Sequence, residues 1–269
     1  MKRTSLAFSQ ISRVIVIIIA LSQHATAQFG DLVKPRMRVI IDNDFSGDPD
    51  GLFQLAHLVL SPSVEIRGVI GSHLKVSDGF DNSTTQADNA SKKAKELIAL
   101  LKPAKIFPIV AGSNTGMIND STPVKSDAVQ LIIQEAMRTD TKQPLYVLCG
   151  AGLTEIASAL LTNPAISNKL ILVWIGGPEY ADLAAPPPGY SNPEYNLNID
   201  IHAARTVFNK TPVPIWQIPR NAYRQAILPY SELVTRVKPH GPVGGYLHQV
   251  FSDLMKRLEK FGLDIGETY

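Results

Sequence analysis

A single cysteine, Cys149, stands in 269 residues, so no intrachain disulfide can brace this chain. A catalytic cysteine needs a histidine partner in a recognisable setting, and none accompanies Cys149, which reads as a core residue. Charge is sparse at 19% of residues, and the formal net charge is only +2. Three basic residues and no acidic one lie in the first 27 positions (Lys2, Arg3, Arg13), so the remainder carries 23 basic against 24 acidic residues, a balance of −1. A basic surface for nucleic acid is therefore not indicated. No apolar run long enough to span a membrane occurs after the first residues. With 45% hydrophobic residues the chain can still bury a sizeable core.

The start of the chain is a separate object. Lys2 and Arg3 precede the apolar run Val14–Leu21, and Ala25-Thr26-Ala27 supplies the small residues that a signal peptidase reads. Residues 1–27 are expected to be a signal peptide cut before Gln28, with an uncleaved anchor as the alternative, and residues 28–269 one exported domain, periplasmic or secreted, with no stable membrane span after cleavage.

Beyond it, short apolar runs alternate with amphipathic stretches. Strands are expected at Arg38–Ile41, Val64–Ile70, Ile106–Val110, Leu145–Leu148, Leu170–Ile175 and Pro214–Ile218. Helices are expected at Leu52–Leu60, Thr85–Leu101, Ser126 (as N-cap) to about Arg138, Thr154–Leu161, His202–Phe208 and Tyr246–Phe261. This alternation predicts an α/β fold, a Rossmann-like open and mostly parallel sheet with helices on both faces. Ligands of such sheets sit beyond the carboxyl ends of the strands. One connecting segment, Pro178–Pro193, is rich in Pro, Ala, Gly and Tyr and reads equally well as a lid or as a passive surface insertion.

Chemistry concentrates after the first strand. In IIDNDFSGDPDGLFQL, Asp42, Asp44, Asp48 and Asp50 fall at a strand's carboxyl end where a helix begins. Carboxylates this close repel one another unless a cation lies among them. Hard oxygen donors suit Ca²⁺ or Mg²⁺, whereas zinc would ask for His or Cys, and the spacing is not that of an EF-hand. The plain alternative is an Asp-rich turn and helix cap, for which one or two aspartates suffice.

This segment resembles the DxDxGxDD signature of nucleoside hydrolases. Four further segments agree in order: Thr85–Leu101 followed by IVAG (Ile109–Gly112) with the family's early helix and YAG strand; GAGLTEIASALLTNP (Gly150–Pro164) with GPLTNIA; LVWIGG (Leu172–Gly177) with LMGG; and EYNLNIDIHAARTVF (Glu194–Phe208) with EFN…DPEAA. Each is weak alone, but together they span roughly residues 37–230.

The resemblance implies the nucleoside hydrolase fold and calcium-dependent cleavage of the N-glycosidic bond of ribonucleosides to ribose and a free base. In that family Ca²⁺ binds the sugar's 2′- and 3′-hydroxyls and a water; a carboxylate takes a proton from the water, which attacks the anomeric carbon. By the same resemblance Asp44 matches the metal ligand and catalytic base. Asp48 and Asp50 match the pair holding metal and sugar hydroxyls, although Pro49 stands between them where the family has adjacent aspartates. The Gly150 carbonyl matches a backbone metal ligand, with Cys149 one register away. His73, Ile175, Glu194 and Asn196 match substrate contacts, although a lone His73 reads equally well as structural and Glu194 and Asn196 also read as loop hydrogen bonds; Asp200 reads as a helix N-cap rather than a contact.

The family's late acidic ligand, in an HDP-like segment, has no counterpart before Gly266-Glu267-Thr268-Tyr269, because His240 and His248 come too early and neither precedes an Asp. The expectation is that the C-terminal part is missing or divergent. Two other readings stay open: a catalytically impaired or non-catalytic homologue that binds a nucleoside or sugar, and a phosphatase-like hydrolase, disfavoured because no basic loop is at hand to hold phosphate. The sequence leaves homo-oligomerisation open.

Overall fold

The structure, a computed structural model, describes residues 33–260 and Gly262. The expected signal peptide lies outside the described residues, as does nearly all of the chain beyond Lys260. Six strands form one sheet: β1 (Met37–Asn43), β2 (Val64–Gly71), β3 (Ile109–Ala111), β4 (Leu145–Cys149), β5 (Leu170–Ile175) and β6 (Ile215–Ile218), in the order β3-β2-β1-β4-β5-β6. All pairings are parallel. Parallel neighbours need crossover connections, which here are the helices α1 (Asp50–Leu60), α2 (Gln86–Leu101), α3 (Asp127–Ala136), α4 (Thr154–Thr162) and the pair α5 (Tyr195–Ile199) and α6 (Ile201–Lys210). Short helices α7 (Arg220–Tyr223) and α8 (Tyr230–Glu232), a π-helical turn (Leu233–Val237) and α9 (Gly241–Glu259) follow β6. No described helix is long and apolar enough to cross a membrane.

Alternation along β1 explains why both faces are covered. Ile40 packs with Val147, Leu172 and the apolar sides of α3, α4 and α6. Val39 and Ile41 point the other way, to Leu52, Leu55, Ala90, Ala94, Leu97 and Leu247 of α1, α2 and α9. Neighbouring side chains of a strand face opposite sides of the sheet, so each apolar run feeds two cores. At the base, the half-covered Arg67 and buried Arg38 both pair with Glu135 of α3, whose carboxyl the adjacent guanidinium of Arg67 helps to hold below the usual range against the opposing effect of burial.

The fold departs from the sequence reading in a few places. The third strand is shorter than expected: Ile106 is exposed, Pro108 offers no N–H, and pairing with β2 begins only at Ile109. Ser126 caps α3 as expected, accepting from Val129 N at 3.2 Å. The helices α5, α7 and α8 were not expected. Cys149 is buried, as expected of a core residue; burial and the neighbouring Asp42 push its thiol well above its ordinary range.

The strand order reverses direction between β1 and β4, and a doubly wound sheet offers its crevice at such a point. Asp42 lies opposite Cys149 across that pair, and Gly150 N donates to the Asp42 carbonyl at 2.9 Å.

Candidate active site

Beyond the carboxyl end of β1 the chain turns at Asp44, where Gly47 N donates to the Asp44 carbonyl, and enters α1 at Asp50. Asn43 holds this turn from below. Its Oδ1 accepts from Asp44 N at 2.8 Å and its Nδ2 donates to Gln54 of α1 at 3.0 Å. Its side chain fills the space that a Cβ on Gly51 or Gly150 would occupy, so both glycines leave room for it.

A cavity of about 140 Å³ opens above, lined by Asp44, Asp48, Asp50, Gly150, Ile175, Glu194, Tyr195, Asn196 and Tyr223. Seven of these nine are residues that the sequence singled out, and they come from the carboxyl ends of β1, β4 and β5 and the segments that follow them.

The acids are crowded and have no cationic partner among the lining residues. Burial raises the Asp44 carboxyl well above its ordinary range, and the charges of Asp48, Asp78 and Asp42 add to it. Asp50 is exposed at one side, yet protein packs densely around the rest of it; that desolvation and then Asp48 raise its carboxyl as well. Beneath them Asp42 is fully buried, and burial followed by the charge of Glu155 pushes it up to about 8, against the opposing hydrogen bonds from Ser72 and the Cys149 thiol.

Carboxylates gathered in one cavity with no cationic side chain among them are a donor set suited by chemistry to a hard divalent cation. Among the described residues, however, no three His, Cys, Asp or Glu side chains stand as a group that could hold a metal ion. The expected ligands therefore share a cavity without forming a closed coordination sphere.

The far wall is built around Glu194. Nearly fully buried, it caps α5 by accepting from Leu197 N at 3.0 Å, and the same Oε2 accepts from Gly177 N at 2.6 Å. Its Oε1 accepts from the Tyr223 hydroxyl at 2.8 Å. Asn196, which also lines the cavity, donates its amide nitrogen to the Ile175 carbonyl at 2.8 Å. Tyr195 donates to Asp78 Oδ2 at 2.9 Å.

His73, expected as a sugar contact, is not among the lining residues. The buried ring is engaged at both nitrogens, Nδ1 with the Leu74 carbonyl (2.8 Å) and Nε2 with Thr154 Oγ1 (2.9 Å). Thr154 in turn donates to Asp200, which also accepts from Met117 N and caps α6 through Ala203 N. His73 thus ties the end of β2 to the start of α4, and Asp200 is the N-cap that was expected.

The segment Pro178–Pro193 is fastened to α7. Glu179 takes two bonds from Arg220, at 2.7 and 2.6 Å, and the Arg220 guanidinium lies 4.2 Å from the centre of the Tyr190 ring. Tyr195, Tyr223 and Asp78 were missed by the sequence reading. Tyr195 lay between two residues already singled out, and Tyr223 follows β6 at the same edge of the sheet, which is the signal that was available.

The family model described as inosine-uridine preferring nucleoside hydrolase matches residues 39–265. Among solved structures, an inosine-uridine preferring nucleoside hydrolase from Bacillus anthracis superposes with a TM-score of 0.61 at 22% identity, covering 81% of this chain and 76% of that one. A purine-preferring ribonucleoside hydrolase from Gardnerella vaginalis gives 0.61 at 20% identity, covering 83% and 73%. The type III effector protein XopQ, complexed with adenosine diphosphate ribose, gives 0.56 at 18% identity, covering 90% and 76%. At these identities the likeness is one of fold. Among curated proteins, none matches the sequence.

Proposed function

Because the chain belongs to the inosine-uridine preferring nucleoside hydrolase family, we propose that it hydrolyses the N-glycosidic bond of ribonucleosides, releasing ribose and a free base, with Ca²⁺ as cofactor. The observation that carries this reading is the convergence of Asp44, Asp48, Asp50, Gly150, Ile175, Glu194 and Asn196, from separate strand ends, on one small cavity.

Asp44, Asp48, Asp50 and the Gly150 carbonyl would hold the cation, whose charge would bind sugar hydroxyls and acidify a water. Asp44 is the base. Ionised among the cation's ligands, its carboxylate would be placed to accept the proton of an attacking water. The remaining acids stabilise positive charge as it develops on the sugar ring. Glu194 Oε1 carries one donor, and a carboxylate oxygen accepts two, so it retains capacity for a substrate hydroxyl. Asn196 would offer its amide oxygen to the sugar, and Ile175 gives it an apolar wall.

A second reading is a protein that binds a nucleoside or sugar without turnover; it rests on the acids that, among the described residues, do not come together as a ready-made three-ligand group. One assay separates them: incubation with inosine and with uridine, with Ca²⁺ or with a chelator, followed by measurement of reducing sugar. Calcium-dependent release that disappears in Asp44→Asn supports the hydrolase. Binding of inosine with no release supports the second reading. Export through the leader at residues 1–27 belongs to the same proposal, and N-terminal sequencing of the mature protein should begin at Gln28.

A further inference from the structure

We propose that Tyr195 is a positioning residue that latches the cavity shut over the sugar of a bound ribonucleoside, by carrying a hydrogen bond from one side of the site to the other. The inference rests on the reading of the cavity as a nucleoside site.

Sheet topology makes the argument. Tyr195 opens α5 on the connection from β5, while Asp78 lies in the loop after β2. Between β2 and β5 in the sheet stand β1 and β4, whose loops carry Asp44, Asp48 and Gly150. The bond from the Tyr195 hydroxyl to Asp78 Oδ2, 2.9 Å long, therefore joins the two flanks of the acid loop. Both ends are prepared for it. Asp78 is buried, its other oxygen accepts from Phe80 N at 2.9 Å, and its own N–H donates to the Lys75 carbonyl. Tyr195 follows the cap residue Glu194, which the Tyr223 and Gly177 donors hold in place.

The phenolic hydroxyl is the atom of Tyr195 that reaches Asp78. Burial, together with the facing charges of Asp78, Asp44 and Asp48, pushes the phenol up, so it remains a donor throughout the working pH range. The cavity beside it measures about 140 Å³, well under the roughly 300–1,000 Å³ of pockets that hold drug-sized ligands. A space of that size suits the sugar; the base of a ribonucleoside needs the Tyr195 side to give way on entry and on product release.

The test uses the whole protein and its Tyr195→Phe, Asp78→Asn and double variants. Hydrogen–deuterium exchange of residues 75–81 and 194–199 reads the latch directly, and both segments should exchange faster in either single variant. With inosine and Ca²⁺, each single variant should raise KM about tenfold while kcat stays within about threefold, the scale of one hydrogen bond to a carboxylate. The double variant should be no worse than either single one. Unchanged exchange in both segments overturns the proposal, as does a fall in kcat at constant KM, or losses that add in the double variant. If the unmodified protein releases no ribose, the hydrolase reading fails, and exchange alone decides the latch: faster in both segments upholds it, unchanged rejects it.

Discussion

The side chain of Asn43 lies between Gly51 and Gly150, one from the first turn of α1 and one from the end of β4. A Cβ on Gly51 would stand 2.8 Å from its amide, and one on Gly150 would overlap it. Neither glycine has a positive φ, so the demand is for space alone. Gly51→Ala and Gly150→Ala should each destabilise the protein by about 1–3 kcal/mol, the range for overpacking a filled site. They should also displace the Asp44 turn that Asn43 supports. Denaturant unfolding measures the first effect. Full stability in both variants would show that Asn43 yields freely.

Asp44→Asn separates function from stability. An amide has no charge to desolvate or to repel Asp48, so the cation-free variant should unfold at a higher temperature than the parent. Its rate of sugar release should fall by about 10²–10⁴, as for loss of a general base. A variant that lost stability while keeping activity would remove Asp44 from the proposed role.

Stability should depend on pH through Asp42. Its carboxyl keeps a proton up to about 8 in the folded protein, against 3.8 ordinarily, so the folded state holds the extra proton between these values. The contribution is present in full below 3.8 and is lost as pH rises through about 8. The cation-free protein should be more resistant to denaturant at pH 6 than at pH 8.5, and Asp42→Asn should flatten that slope. An unaltered slope in the variant would place its origin elsewhere.

Calcium should act in the opposite sense. Ligand present at a hundred times its Kd stabilises by about 2.7 kcal/mol, and only carboxylates that have lost their protons ligate well. The melting temperature should rise on adding Ca²⁺ at pH 8, rise less at pH 5, and fall back with a chelator. No shift at either pH would argue against Ca²⁺ at this site.

Arg220→Ala should release the segment Pro178–Pro193. The guanidinium holds Glu179 and lies against Tyr190, so its loss frees both ends of the segment. Chymotrypsin should then cut at Tyr180, Leu183 or Tyr190 well before the rest of the chain. Equal rates in variant and parent would mean that other contacts, such as Tyr180 with Gln217, suffice.

The sheet was legible in the sequence because buried parallel strands are apolar runs: Leu170–Ile175 coincides with β5, and the central strands differ only at their ends. The edge strand was less so, since Ile106 counts as apolar in a pattern yet stands in solvent. Helices of three to five residues, such as α5 and α7, are shorter than the period that would announce them. Within the site, residues fixed by strand ends, from Asp44 to Asn196, were found. Tyr223 was not, because it reaches the cavity through the hydrogen bond to Glu194 rather than through any local pattern. His73 was expected at the cavity, but the ring binds Thr154 instead, a partner 81 residues away.

The placement of β1 between β2 and β4 bears on how the protein comes to fold. Asp42 and Cys149, adjacent across the sheet, are 107 residues apart along the chain. Closing so long a loop is slow and carries its entropic cost before the contact repays it. The β1–β2 half can form early, but the floor of the cavity needs Gly150 in place. The acids of the Asp44 loop are neighbours along the chain from the start, but the enclosure that strips water from them is completed only when β4 docks, so their repulsion is felt in full only after much of the core has formed to hold them.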